Sequence, residues 1–88
     1  NSCSYNAALA ATLAGNYDAA KKNAECATQD AETFYLKAII GARTNNLDML
    51  TTNLTRAIRE NSEMRARAAK DMEFKKYMET DAFKVAVR

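Results

Sequence analysis

The chain of 88 residues is predicted to be all-α, and three features of its sequence support this class. It contains no proline and only two glycines, whereas sheet proteins need many turns that draw on these residues. Alanine and the other strong helix formers are abundant. Apolar residues recur at helical spacing along most of the chain. The length allows one domain, residues 1–88, with one modest core.

The sequence repeats itself at an offset of 30 residues, which we call the repeat period. The offset aligns identical residues in six places: Tyr5 with Tyr35, Ala8 with Ala38, Asn16 with Asn46, Asp18 with Asp48, Asn23 with Asn53, and Ala27 with Ala57. These matches surround two turn signals, Gly15-Asn16 and Asn45-Asn46. A fixed internal period of this kind is typical of repeat architectures, so we expect a duplicated helical hairpin.

The first hairpin is predicted over residues 4–28. Its first helix spans residues 4–14 and ends at Gly15-Asn16, because both residues tolerate the left-handed conformation that closes a helix. Its second helix spans residues 17–28, and Asp30 is expected to cap the helix that follows. Helical spacing predicts these buried residues: Ala8, Leu9, Thr12, Leu13, Tyr17, Ala20, Ala24 and Ala27.

The second hairpin is predicted over residues 31–59, with helices at 31–44 and 47–59. Its buried stripe is expected to contain these residues: Phe34, Tyr35, Ala38, Ile39, Ala42, Leu47, Leu50, Leu54, Ala57 and Ile58. Gly41 lies in mid-helix, where glycine costs about 1 kcal/mol relative to alanine. We interpret it as a point of close helix–helix packing, and a functional kink is the alternative.

Short capping helices are predicted over residues 62–88. Asn61-Ser62 is expected to cap the first of them, with Met64, Ala68 and Ala69 facing inward, and Asp71 and Asp81 are expected to cap two more. This tail is not predicted to be a third copy of the hairpin. Its large apolar residues are expected to cover the exposed end of the stack: Phe74, Tyr77, Met78 and Phe83.

The segment 15–20, Gly-Asn-Tyr-Asp-Ala-Ala, followed by Ala27, resembles the turn and second helix of a tetratricopeptide repeat. Segments 34–46, 68–74 and 81–83 are similar to the C-terminal end of repeat arrays in large bacterial cell-envelope proteins. The resemblance implies antiparallel hairpins stacked as a short right-handed solenoid. It also implies a concave partner-binding surface formed by the first helix of each hairpin: Tyr5, Leu9, Thr12, Tyr35, Ile39 and Arg43. Packing of Tyr5 and Tyr35 between the hairpins is the alternative.

The residue types needed for catalysis are scarce. The chain has no histidine, and therefore lacks the commonest general base and metal ligand. Its acidic residues are spread singly, and no glycine-rich phosphate loop is present. We therefore predict no enzyme activity, no metal and no cofactor.

Two cysteines leave two interpretations open. In a hairpin that turns at Gly15-Asn16, Cys3 and Cys26 lie about one position out of register, which is within reach of a disulfide if the Cα atoms approach within about 7 Å. A bridge would indicate an oxidising compartment such as the periplasm. Two small buried thiols are the alternative, and these would be compatible with the cytoplasm.

Basic residues are concentrated between positions 56 and 76, where there are seven against four acidic residues: Arg56, Arg59, Arg65, Arg67, Lys70, Lys75 and Lys76, against Glu60, Glu63, Asp71 and Glu73. A solvated helix face explains them most simply. Weak binding of nucleic acid or of an anionic surface is the alternative. No apolar run approaches the roughly 20 residues of a membrane span.

These observations favour a protein–protein interaction or scaffold module whose partner is a protein or peptide. Because the chain begins at Asn1 rather than methionine, we expect the C-terminal part of a longer repeat protein, packed against flanking repeats and located in the cell envelope. A purely structural end-cap without a ligand is the alternative function.

Overall fold

The computed structural model describes residues 3–88, and in that range every element of secondary structure is a helix, with no strand. The helices are α1 (Tyr5–Leu13), α2 (Tyr17–Cys26), α3 (Ala31–Arg43), α4 (Leu47–Glu60), α5 (Met64–Lys70), a 3₁₀-helix (Met72–Tyr77) and α6 (Asp81–Ala86). The predicted all-α class is confirmed. The four helices of the two predicted hairpins agree with the structure to within two residues at each end.

The two interhelix turns have the same hydrogen-bond pattern at equivalent positions of the repeat. Gly15 and Asn45 adopt the left-handed conformation, with φ of 79° and 58°. The N–H groups of the next residues, Asn16 and Asn46, donate to carbonyls five residues back, at 2.9 and 2.8 Å. This pattern is a Schellman motif, which satisfies carbonyls that the helix end leaves without partners. Each asparagine side chain then accepts the N–H three residues ahead and caps the second helix.

The repeat period also extends into the tail. Ala8, Ala38 and Ala68 are all fully buried, each on the helix that opens its segment. The tail is not predicted to be a further copy, yet α5 has a buried alanine, Ala68, at the position that the period requires. The tail therefore retains one feature of the hairpin while it differs in length and in side-chain size.

Gly41 lies where α3 and α4 come closest together. A Cβ atom on this residue would lie 2.6 Å from the backbone nitrogen of Leu50 and 3.0 Å from the carbonyl oxygen of Asn46. Only glycine fits such a contact without displacing the backbone of α4. The close-packing interpretation of Gly41 is therefore confirmed.

The buried side chains form two clusters of different character. Between the hairpins, Leu36 and Ile40 of α3 pack against a surface of buried alanines: Ala8, Ala20 and Ala24. The other cluster lies between the second hairpin and the tail and contains most of the large apolar residues, among them Leu50, Leu54, Met64, Phe74 and Phe83.

Three aromatic rings close the second cluster. Phe74 is fully buried, and its ring lies edge-on to Tyr35 with centroids 5.6 Å apart and tilted against Phe83 at 5.7 Å. Aromatic pairs in such geometries contribute beyond the area they bury. The tail thus covers the end of the second hairpin, as its aromatic content predicts.

A buried lysine also joins the two hairpins. The ammonium of Lys37 in α3 lies within 3.4 Å of a carboxylate oxygen of Glu25 and donates to the side-chain oxygen of Gln29. It also lies 5.7 Å from the centre of the Phe34 ring. Because burial of an isolated charge is costly, these partners explain how α3 carries a lysine at the interface.

Several local predictions were wrong. Leu13 is 66% exposed because it lies roughly 140° around the helix from the buried Ala8. Ala69 is exposed because the buried stripe of α5 is only one residue wide. Thr80, rather than Asp81, caps α6. Asn61 accepts the N–H of Glu63, but α5 begins at Met64 without a side-chain cap.

Candidate interaction surface

Two of the six residues predicted for the binding surface are buried. Thr12 and Tyr35 are each 1% exposed. The hydroxyl of Thr12 donates to the carbonyl oxygen of Ala8 at 2.7 Å, and the hydroxyl of Tyr35 donates to a carboxylate oxygen of Asp71 at 2.7 Å. Their inclusion in the surface is therefore wrong. The alternative for Tyr35 was packing between the two hairpins, whereas its ring packs against the tail.

Arg67 covers the outer side of Tyr35. Its guanidinium lies 4.2 Å from the centre of the tyrosine ring, and it donates to the carboxylate of Glu32 at 3.4 Å. Stacking of this kind combines a cation–π attraction with the packing of the arginine stem. Burial raises the pKa of Tyr35 well above its usual value near 10, and the hydrogen bond to Asp71 raises it further.

Tyr5, Leu9 and Ile39 are partly exposed, and so remain accessible to a partner. Leu9 and Ile39 occupy equivalent positions of the repeat, on α1 and α3. Partial burial raises the pKa of Tyr5, and the nearby carboxylate of Glu32 adds to the effect. The Tyr5 hydroxyl therefore lies in the electrostatic field of the Glu32–Arg67 pair.

Arg43 joins three elements rather than projecting freely. Its Nε donates to Oε1 of Glu73 at 3.0 Å and its Nη2 to Oε2 at 2.6 Å, while Nη1 donates to the carbonyl oxygen of Thr12 at 3.2 Å. The bidentate contact with Glu73 is the main reason why the pKa of Arg43 is raised. Arg43 thus ties α3 to the end of α1 and to the 3₁₀-helix.

Met72 is a further exposed apolar residue, next in the chain to the Glu73 that Arg43 contacts, and the sequence did not indicate it. It is 66% exposed. Ile39 lies one turn before Arg43, and Leu9 lies one turn before Thr12, so the partly exposed apolar side chains flank the Arg43 contacts. We call Tyr5, Leu9, Ile39 and Met72 the front face. The sequence feature that could have drawn attention to Glu73 is its position one repeat period after Arg43.

The two cysteines are bonded to each other in the structure. Cys3 and Cys26 form a disulfide with their Cα atoms 5.4 Å apart, which links the start of α1 to the end of α2. Both residues are exposed, in contrast to the alternative of two buried thiols. The bond closes the open end of the first hairpin, opposite its Gly15 turn.

The basic stretch 56–76 is largely occupied by contacts within the chain. Four of its seven cations have such contacts: Arg56 over the Phe34 ring, Arg65 with the carbonyl oxygen of Arg88, Arg67 with Glu32, and Lys76 with Asn45. These four groups have partners in separate parts of the chain, which differs from the continuous basic stripe that tracks a phosphate backbone.

An open groove of about 670 Å³ lies between α4 and α6. Sequence analysis did not anticipate it. Its lining consists of five residues of α4 and four of α6: Thr51, Thr52, Thr55, Arg56 and Arg59, with Asp81, Ala82, Val85 and Ala86. Each of the four α6 residues follows one of the α4 residues by one repeat period, so the two helices present the same positions of the repeat to the groove.

Other site types have no support within residues 3–88. No three side chains among histidine, cysteine, aspartate and glutamate are arranged to hold a metal ion there. None of the helices in that range combines the length and apolar character needed to cross a bilayer.

Comparison of the chain with known protein families, with curated proteins and with solved structures yields no match. The resemblance to the tetratricopeptide repeat therefore stays a prediction, and the functional argument depends on the surfaces of the molecule itself.

Proposed function

We propose that this chain is a protein-interaction module that binds a partner polypeptide at the front face. The observation that supports the proposal most directly is the presence of accessible apolar side chains on α1, α3 and the 3₁₀-helix, the three elements that Arg43 of α3 joins through Thr12 and Glu73. A surface fixed in this way loses little conformational entropy when a partner binds.

The repeated architecture supports the same proposal. The turns, the buried alanines and the lining of the α4–α6 groove all recur at the repeat period, as expected for hairpins stacked in the manner of a tetratricopeptide array. Such arrays present the first helix of each hairpin to partners, and α1 and α3 carry the front face. The exposed disulfide favours an oxidising compartment, and we include a cell-envelope location in the proposal.

Photo-crosslinking in the native host tests the front face. A photoreactive amino acid replaces Met72 in one variant and Lys22, an exposed residue of α2, in the other. We expect a discrete crosslinked protein from position 72 and none from position 22. With the crosslinked partner purified, Met72→Glu should weaken binding by about tenfold, since truncation or reversal of an apolar contact at a binding site costs more than about 1 kcal/mol. Lys22→Glu should leave binding unchanged.

Two results would count against this function. Equal crosslinking from positions 72 and 22 would mean that contacts are non-specific. A complete lack of crosslinks from position 72 would favour the alternative in which the domain is a structural end-cap without a ligand. Met72 is a suitable probe because its exposure means that substitution leaves the fold intact.

A further inference from the structure

The α4–α6 groove combines an apolar floor with charges at its two ends. Ala82, Val85 and Ala86 of α6 line the groove together with three threonines of α4, and Val85 is 57% exposed. The lining of α4 extends from Thr51 to Arg59, roughly 12 Å, which corresponds to a little over two helical turns. An exposed apolar residue in such a groove is a common mark of a binding surface.

Helices α4 and α6 lie side by side and run in the same direction. Just before the two helices begin, the hydroxyl of Tyr77 donates to the side-chain oxygen of Asn45 at 3.0 Å. Just beyond their ends, Nε of Arg65 donates to the carbonyl oxygen of Arg88 at 3.1 Å. The groove therefore runs from the N-terminal side of both helices towards their C-terminal ends.

The charges in the groove are separated along this direction. Asp81 is the first residue of α6 and lies at the N-terminal end, while Arg56 and Arg59 belong to the last two turns of α4. Because the guanidinium of Arg56 also lies 5.8 Å from the centre of the Phe34 ring, the positive charge at this end depends mainly on Arg59. The groove is thus negative at one end and positive at the other.

We propose that the α4–α6 groove binds an amphipathic helix of a partner protein, antiparallel to α4 and α6, through its apolar face. In this orientation the first turn of the bound helix lies beside Arg56 and Arg59, and its last turn lies beside Asp81. The partner is therefore a helix with acidic residues in its first turn and basic residues in its last turn. Its own dipole favours the same charge arrangement, and an antiparallel helix is also favoured by the dipoles of α4 and α6.

Two synthetic peptides of identical composition test the proposal. Each is long enough for about four helical turns and has leucines on one face. One carries glutamates in the first turn and lysines in the last, and the other has these charges exchanged. Binding is measured by fluorescence anisotropy, and amide chemical shifts locate the contact. We expect about a fivefold preference for the glutamate-first peptide, the size that a few exposed ion pairs produce, with shifts confined to α4 and α6.

Three variants separate the groove from other surfaces. Arg59→Glu should remove the preference between the peptides, whereas Lys21→Glu, the same change of charge on an exposed residue of α2, should preserve it. Val85→Asp should weaken binding of the glutamate-first peptide at least tenfold. Because Val85 is exposed, this variant should keep its fold, which circular dichroism verifies. Equal affinities, an absence of binding at millimolar peptide, or shifts outside α4 and α6 would each overturn the proposal.

Discussion

The two hairpins share a backbone plan but bury different side chains. At two equivalent positions of their second helices, the first hairpin has Ala20 and Ala24 where the second has Leu50 and Leu54. All four residues are fully buried. Each leucine adds three carbon atoms, and at about 0.8 kcal/mol for each buried methylene the two positions differ by roughly 5 kcal/mol in total. The first hairpin therefore has much less apolar stabilisation of its own.

A covalent bond compensates for part of this difference. The disulfide between Cys3 and Cys26 closes a loop with a sequence separation of 23, for which chain entropy alone predicts a stabilisation of about 3 kcal/mol. The alanines also create the surface that receives Leu36 and Ile40 of the next hairpin. The comparison shows that one turn geometry can support two sources of stability, a bond in the first hairpin and aromatic packing around the second.

Removal of the aromatic packing should have the largest effect. Phe74→Ala empties the position between the Tyr35 and Phe83 rings, and phenylalanine-to-alanine changes in cores cost about 3–5 kcal/mol. Urea denaturation should show that decrease in the free energy of unfolding. Met72→Ala in the same 3₁₀-helix is the matched control and should change it by less than about 0.5 kcal/mol, because Met72 is exposed. Similar losses in both variants would show that Phe74 has no special role in closing the stack.

Much of this architecture could be predicted from the sequence, because it depends on local chemistry. Glycine and asparagine at the turns, asparagine and aspartate at the helix starts, and apolar residues at helical spacing specify the four main helices. The repeat period indicated the duplication. The same period also relates Ala38 to Ala68 and Arg43 to Glu73, two pairs whose importance only the structure made clear.

The candidate surfaces were harder to predict because they depend on how the tail packs. Tyr35 has the same position in the repeat as Tyr5, yet Arg67 and Phe74 cover it, and both belong to the tail, far along the chain. Arg43 had the residue type of a binding anchor, but its carboxylate partner in the 3₁₀-helix uses its donors. The α4–α6 groove exists only once α6 lies beside α4. No pattern within one helix indicates these long-range contacts.

Loss of the disulfide should be the next largest effect, and it should be confined mainly to the first hairpin. The double variant Cys3→Ser with Cys26→Ser should lower the free energy of unfolding by about 3 kcal/mol. Hydrogen exchange should accelerate in α1 and α2 more than in α3 and α4, since the alanine cluster has few large side chains to hold the hairpin together. The oxidised wild-type chain is the control. Equal acceleration in all four helices would mean that the hairpins do not differ in their source of stability.

Gly41 and its counterpart Ala11 allow a smaller and more local test. Gly41→Ala introduces a Cβ within 2.6 Å of the backbone of α4, and the strain should outweigh the gain of about 1 kcal/mol in helix propensity, for a net loss of about 1–2 kcal/mol. Ala11→Gly should cost about 1 kcal/mol, mainly through helix propensity, since Ala11 is only partly buried. Thermal denaturation of both variants measures these effects. A stabilised Gly41→Ala variant would show that α3 and α4 can separate freely, contrary to the close packing inferred for the second hairpin.

The smallest expected effect compares Tyr35 with its counterpart Tyr5 as the pH rises. Burial raises the pKa of Tyr35 above its usual value near 10, so the folded state favours the neutral phenol. The unfolded chain therefore loses this proton first, and the stability that Tyr35 provides is complete below pH 10 and declines above it. At pH 8, Tyr35→Phe should be about 1 kcal/mol less stable than the wild type because the hydrogen bond to Asp71 is lost. That difference should shrink between pH 10 and 11.5 in urea titrations.

Tyr5→Phe is the matched control: burial also raises the pKa of Tyr5, but Tyr5 is partly exposed, so its pH-dependent change should be smaller. Parallel pH profiles for the wild type and Tyr35→Phe would contradict the buried environment assigned to Tyr35, and with it the claim that aromatic packing distinguishes the second hairpin from the first.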